Sequence, residues 1–107
     1  MIAWLKGELL EKQAPSLLIN VSGVGYELEA PMTTFYDLPA EGEVAELFVH
    51  MVVREDAQLL FGFSSKQQRE LFRSLIKVNG VGPKVALAVL STLSAQELLQ
   101  CMADEDF

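Results

Sequence analysis

Cysteine is almost missing from this chain. Among its 107 residues only Cys101 carries a thiol, so neither an internal disulfide nor a cysteine-based metal cluster can form. Histidine is equally scarce. His50 stands alone in an apolar run, reads as a structural residue, and has no evident Ser or Cys partner for nucleophilic catalysis. Long apolar runs are absent too. None approaches the ~20 residues that a membrane-spanning helix needs. The N-terminus lacks the charged and apolar regions of a signal peptide. A lone thiol with no export signal predicts a cytoplasmic chain. Basic residues are the last shortage: eight Lys and Arg face fifteen Asp and Glu, for a net charge of −7. Taken globally, that charge speaks against a polyanionic partner.

Half the residues are apolar, which predicts a real core and argues against disorder. The few basic residues are not evenly spread. Residues 1–63 hold ten acidic groups against Lys6, Lys12 and Arg54. Between 66 and 84 the balance reverses: Lys66, Arg69, Arg73, Lys77 and Lys84 face Glu70 alone. An acidic module therefore precedes a basic stretch. This asymmetry predicts one face for a polyanion and another turned away from it.

The patterning also changes between the two segments. Ile2–Leu10, Ser16–Val21, Val24–Ala30, Val44–Val53 and Gln58–Phe63 read as strands. Ser22-Gly23 and Glu41-Gly42 are turn signals, and Thr33 is placed to cap one helical turn over Met32–Leu38. Short strands without a long helix predict a small barrel or sandwich. From Ser64 the period becomes helical. Ser65-x-x-Gln68 is a capping box, and Leu71, Phe72, Leu75 and Ile76 share one helix face. That helix is expected to stop at Asn79-Gly80, and Pro83 is well placed to open the next one. Ser94-x-x-Glu97 predicts a third helix through Cys101.

The stretch Val78-Asn79-Gly80-Val81-Gly82-Pro83-Lys84 carries the chemistry. Two glycines, two apart, permit positive φ and close approach of another backbone. A helix starting at Pro83 aims free N–H groups and its positive dipole end at the turn, which suits a phosphate. Lys84 in the first turn opposes the dipole by a few tenths of a kcal/mol, so another demand is expected to hold it there. The plainer reading is an ordinary helical hairpin with glycines for its turn. The complete string favours a helix-hairpin-helix, which contacts backbone and so binds without reading sequence. It is no nucleotide loop, since a Walker motif needs G-x4-G-K-[ST]. Gly23-Val24-Gly25 opens a strand and lacks a third glycine.

Three stretches together resemble the RuvA family of Holliday-junction branch-migration subunits. They are Gly23–Glu27 with Pro31–Tyr36, Val52–Phe63, and Leu75–Lys84 with Ala86-Leu87-Ala88. The resemblance covers essentially the entire chain. It implies an α+β protein: an OB-type β-barrel over residues 1–63, then a helix-hairpin-helix α domain over 64–107, incomplete. It implies a homotetramer, without enzymatic activity or cofactor, that grips a four-way DNA junction in recombination and repair. The RuvB motor and the RuvC resolvase would be its partners. Asn79, Gly80, Val81, Gly82, Lys84 and Arg54 would hold DNA phosphates. Glu55 and Asp56 would form an acidic pin near the crossover. The family usually opens Met-Ile-Gly-Arg-Leu, whereas Ala3 and Trp4 stand here. It also carries a second helix-hairpin-helix and a linked domain that contacts the motor. The chain reads as a truncated or proteolysed piece, or one whose remainder is disordered.

Two other readings stay open. OB barrels can bind single-stranded nucleic acid, but such sites need exposed aromatics among basic groups, and this barrel is acidic. Phe35, Tyr36, Phe61 and Phe63 are expected in its core or rim. Self-assembly is the second reading, because two units this small are marginal unless packed together.

Overall fold

The computed structural model describes residues 1–92. The predicted third helix, Cys101 and Asp104-Glu105-Asp106 lie outside the described residues.

Five strands close into a barrel in the order β1-β2-β3-β5-β4. They are β1 (Trp4–Gln13), β2 (Ser16–Val21), β3 (Val24–Glu29), β4 (Val44–Val53) and β5 (Gln58–Phe63). Neighbours are antiparallel except β3 and β5, which are parallel and share one pairing, Glu29 with Phe61. This is the OB topology. Ser22 and Gly23 both take positive φ, 53° and 90°, as the tight β2–β3 hairpin requires. Asn20 Oδ1 accepts the Gly23 N–H at 2.8 Å. Alternation places Leu5, Leu9, Leu17, Ile19, Leu28, Ala45, Leu47 and Val49 inside the barrel.

β1 outlasts its apolar stretch by three residues. Glu11, Lys12 and Gln13 still pair with β2 after a register shift between Leu9 and Glu11. Charged side chains are tolerated there because one face of the strand looks to solvent. β1 also approaches β2 closely. A Cβ on Gly7 would lie 2.1 Å from the Asn20 carbonyl oxygen.

Helix α1 (Met32–Asp37) sits between β3 and β4 and sends Phe35 into the barrel core. Thr33 does not cap it. The cap position falls on Pro31, and the Thr33 hydroxyl is buried without a partner among the described residues. Thr34 is the connecting residue: its hydroxyl lies 3.4 Å from the Gly62 carbonyl oxygen and 3.2 Å from Gln68 Oε1. Of the aromatics expected in core or rim, Phe35, Phe61 and Phe63 are buried, and Tyr36 is exposed.

Two helices follow, α2 (Lys66–Leu75) and α3 (Pro83–Ser91). Ser65 Oγ accepts the Gln68 N–H, as the capping box predicts, but the Gln68 side chain turns to Thr34 instead of back to Ser65. α2 ends earlier than expected. Beyond Leu75 the bonds tighten to i−3, from Lys77 to Ser74 and from Val78 to Leu75. α2 packs on the outer face of β4 and β5, and α3 packs on α2 and α1. Phe61, Phe63, Leu71, Phe72, Ala86, Leu87 and Leu90 form this second core, with Val52 and Val81 against it. No helix among the described residues is long and apolar enough to cross a membrane.

Candidate nucleic-acid interface

The α2–α3 hairpin is built around one inward and one outward residue. Val81 faces inward. Its side chain packs on the second core and its N–H donates to the Val78 carbonyl at 3.1 Å. Val81 thus anchors the turn, and its amide is not free for a ligand. Gly80 takes φ +85°, a conformation that favours glycine. Gly82 differs. Its φ of −88° suits any residue, and a Cβ there would meet nothing within 4 Å. No internal crowding explains glycine at that position. It keeps the approach to the head of α3 bare.

The first helical bond of α3 runs from the Ala86 N–H to the Gly82 carbonyl at 3.0 Å. The N–H groups of Lys84 and Val85 therefore lack helical acceptors, and no side chain among the described residues caps them. Pro83 has no N–H to leave unpaired. Lys84 is exposed and has no ion-pair partner among the described residues. Asn79, Gly80 and Gly82 are exposed beside it. Main-chain amides, a dipole end and one cation converge here, an arrangement that suits a single phosphate.

Arg54, Glu55, Asp56 and Ala57 form the β4–β5 turn, closed by a bond from the Arg54 N–H to the Ala57 carbonyl at 2.8 Å. All four are exposed. Arg54 forms no ion pair among the described residues, so its guanidinium is not spent on the neighbouring acids. The hairpin and this turn lie on the same side of the barrel. Lys84 lines a cleft of about 380 Å³ together with Glu27, Glu29 and Gln58, and Gln58 follows the acidic pair by two residues.

The basic stretch is less free than its composition implies. Arg69 is largely buried. It donates to the Ala3 carbonyl at 2.8 Å, and its guanidinium stands 5.6 Å from the centre of the Phe48 ring. Glu70 accepts from both Arg69 and Arg73, at 3.1 and 3.2 Å. The sequence signal was Arg69 beside the apolar face of α2, a position from which its stem lies along the core. Ala3 serves through its backbone, while Trp4 is half exposed and opposite Phe48.

His50 is structural. Its Nδ1 accepts from Arg73 Nε at 3.1 Å, and its ring meets Phe72 edge-on at 5.5 Å. Burial pushes its pKa below the ordinary 6.5, the charges of Arg73 and Arg69 push it further down, and Glu70 opposes them. The folded chain therefore refuses a proton that the unfolded chain accepts. Its contribution to stability is complete above pH 6.5 and is lost as pH falls from there through the lowered folded value. The thermal midpoint should drop across that window, and His50→Gln should flatten the drop.

A closed OB barrel carrying a helix-hairpin-helix on its outer face defines a class, the barrel-and-hairpin proteins. Two family models match this chain. Residues 1–62 match the RuvA N terminal domain and residues 72–106 match a SAM-like helix-hairpin-helix tandem. Three relatives carry the name Holliday junction branch migration complex subunit RuvA. They come from Pseudoalteromonas translucida, Shewanella frigidimarina and Stutzerimonas stutzeri, and are 60%, 59% and 58% identical over 106 residues. Each alignment covers 99% of this chain and 52–53% of the relative. The chain belongs to the RuvA family, and it spans about half the length of the curated relatives it matches.

Proposed function

We propose that this chain is a non-catalytic subunit that binds four-way DNA junctions without regard to sequence. It would hold them open while an ATP-driven partner moves the branch point. The names of its relatives supply the junction and the branch-migration complex. The observation that carries the reading is the head of α3, where amides and a Lys84 without partners among the described residues meet at a bare Gly82. Asn79 and Gly80 would flank the same phosphate, with Val81 as anchor, and Arg54 would take a second one.

Glu55 and Asp56 would act by repulsion. In a homotetramer, two acids per chain bring eight carboxylates to the junction centre. Each repels a nearby phosphate by ~1 kcal/mol or more at short range. Ordinary duplex is disfavoured there, so strands separate. The acids shape the DNA, and the hairpins hold it. RuvB as motor and RuvC as resolvase are the partners in this reading.

The test compares a four-way junction with linear duplex of equal length at fixed salt. The junction should bind more tightly, and equal affinities reject the reading. A separating variant is available. Gly82→Leu should cost no more than about 1 kcal/mol of stability, because its Cβ meets nothing within 4 Å and leucine is only a poorer N-cap than glycine. Junction affinity should fall about tenfold or more, as expected when a charge-assisted hydrogen bond of ~1.5–3 kcal/mol is blocked. Gly80→Ala should instead cost ~1–2 kcal/mol of stability through its positive φ.

A further inference from the structure

A second basic surface shares no lining residue with the cleft beneath Lys84. It is an open cleft of about 660 Å³, lined by His50 of β4, by Glu70, Arg73 and Ser74 of α2, and by Ile76 and Lys77 just beyond that helix. Its one lining acid, Glu70, is already shared by Arg69 and Arg73 at 3.1 and 3.2 Å. Lys77 is exposed and makes no ion pair among the described residues. Its N–H bonds to the Ser74 carbonyl at 3.2 Å, which holds it within one tight turn of the helix. Two cations over one shared acid leave the cleft with a surplus of positive charge.

The donors that remain have a particular form. Arg73 spends Nε on His50 at 3.1 Å and Nη1 on Glu70 at 3.2 Å. Its Nη2 has no partner among the described residues. A guanidinium grips a carboxylate best through a fork of two neighbouring nitrogens. Both forks that include Nη2 have a spent member, so Arg73 has only single bonds to give. His50 Nδ1 accepts from Arg73, so the neutral ring carries its hydrogen on Nε2, which also lacks a partner among the described residues. Lys77 adds a mobile point charge on a flexible stem. Separate single donors from different side chains suit an anion whose oxygens point in several directions. A planar carboxylate would forgo its strongest mode here.

We propose that this cleft binds a tetrahedral oxyanion of the phosphate class, with Arg73 and His50 donating to it and Lys77 supplying the balancing charge. A nucleic-acid backbone and a free phosphate ester present the same chemistry to these donors. The proposal does not rest on the junction-binding reading, because none of its residues belongs to the head of α3.

His50 is the only histidine of the chain, so its ring gives a single, unobstructed NMR titration. The charges facing it are Arg73, Arg69 and Glu70, all on α2. The full chain is titrated in sulfate and in chloride at equal ionic strength, with circular dichroism verifying folding at each pH. Sulfate is a tetrahedral oxyanion whose charge is constant across this window. An oxyanion against Nε2 favours the charged ring, so the His50 midpoint should rise in sulfate by about half a pH unit. Lys77→Gln should remove most of that rise, whereas Lys84→Gln should keep it. Lys77 has no ion pair to lose among the described residues, so its variant should melt as wild type does. Linear duplex in place of sulfate identifies the source. A rise with duplex that Lys77→Gln removes assigns the cleft to backbone phosphate. A rise in sulfate without one in duplex assigns it to a free phosphate ester. Equal midpoints in sulfate and chloride refute the site and leave the hairpin reading untouched. A sulfate rise that survives Lys77→Gln, or that Lys84→Gln abolishes, places the anion elsewhere and refutes it as well.

Discussion

Phe72→Ala should destabilise the chain by about 3–5 kcal/mol, the range for deleting a buried aromatic ring. Phe72 is fully buried where the helices meet the barrel. Its ring centre lies 5.2 Å from that of Phe61, 5.0 Å from that of Phe63 and 5.5 Å from that of His50. Pairs at these separations contribute beyond their buried area. The cavity would open between β4, β5 and α2, with rigid strands on one side and little room to collapse. Urea titration gives the loss directly. Because barrel and helices share this core, the variant should still unfold in one transition. Two separated transitions would show that the helices are secured elsewhere.

Gly7→Ala should cost about 3 kcal/mol, at the upper end for overpacking. Most added methyl groups meet a side chain that can swing aside. Here the obstacle is backbone: the Asn20 carbonyl oxygen at 2.1 Å and its carbon at 2.9 Å. No rotamer relieves that, so β1 and β2 must part at the end of their ladder, where Glu8 pairs with Asn20. Gly62→Ala is the natural comparison. Its nearest neighbour is a Leu28 methyl at 3.2 Å, which can yield by a few tenths of an ångström. A smaller drop in denaturation midpoint for Gly62→Ala than for Gly7→Ala would confirm that the backbone clash sets the cost. Equal drops would mean that β1 can shift.

Much of this architecture is legible in the sequence because its signals are local. Ser22-Gly23 admits the positive φ of a tight hairpin, Ser65 caps three residues ahead, and Pro83 opens a helix where an N–H would be surplus. Alternation in β3 and β4 places their inward residues correctly. Several misses depend on distant partners or neighbouring caps. Thr33 looks like a cap, yet Pro31 takes that position. Gln68 is expected to return to Ser65, and Thr34, remote in sequence, takes its oxygen instead. Arg69 counts as surface charge until the Ala3 carbonyl and the Phe48 ring claim it. The hairpin is legible from its spacing. That Val81 has no amide to offer is visible only from the bond to Val78.

The seam between β3 and β5 carries a consequence for mechanics. Those strands meet at one pair, whereas β4 is laddered to β1 on one side and to β5 on the other. Beside that seam, Lys84 overhangs the gap between Glu27–Glu29 and Gln58–Leu60. The loosest joint in the barrel therefore sits beneath the cationic end of α3. Local opening should therefore begin at that seam, where one pairing must break, and not along β4, where two ladders must break.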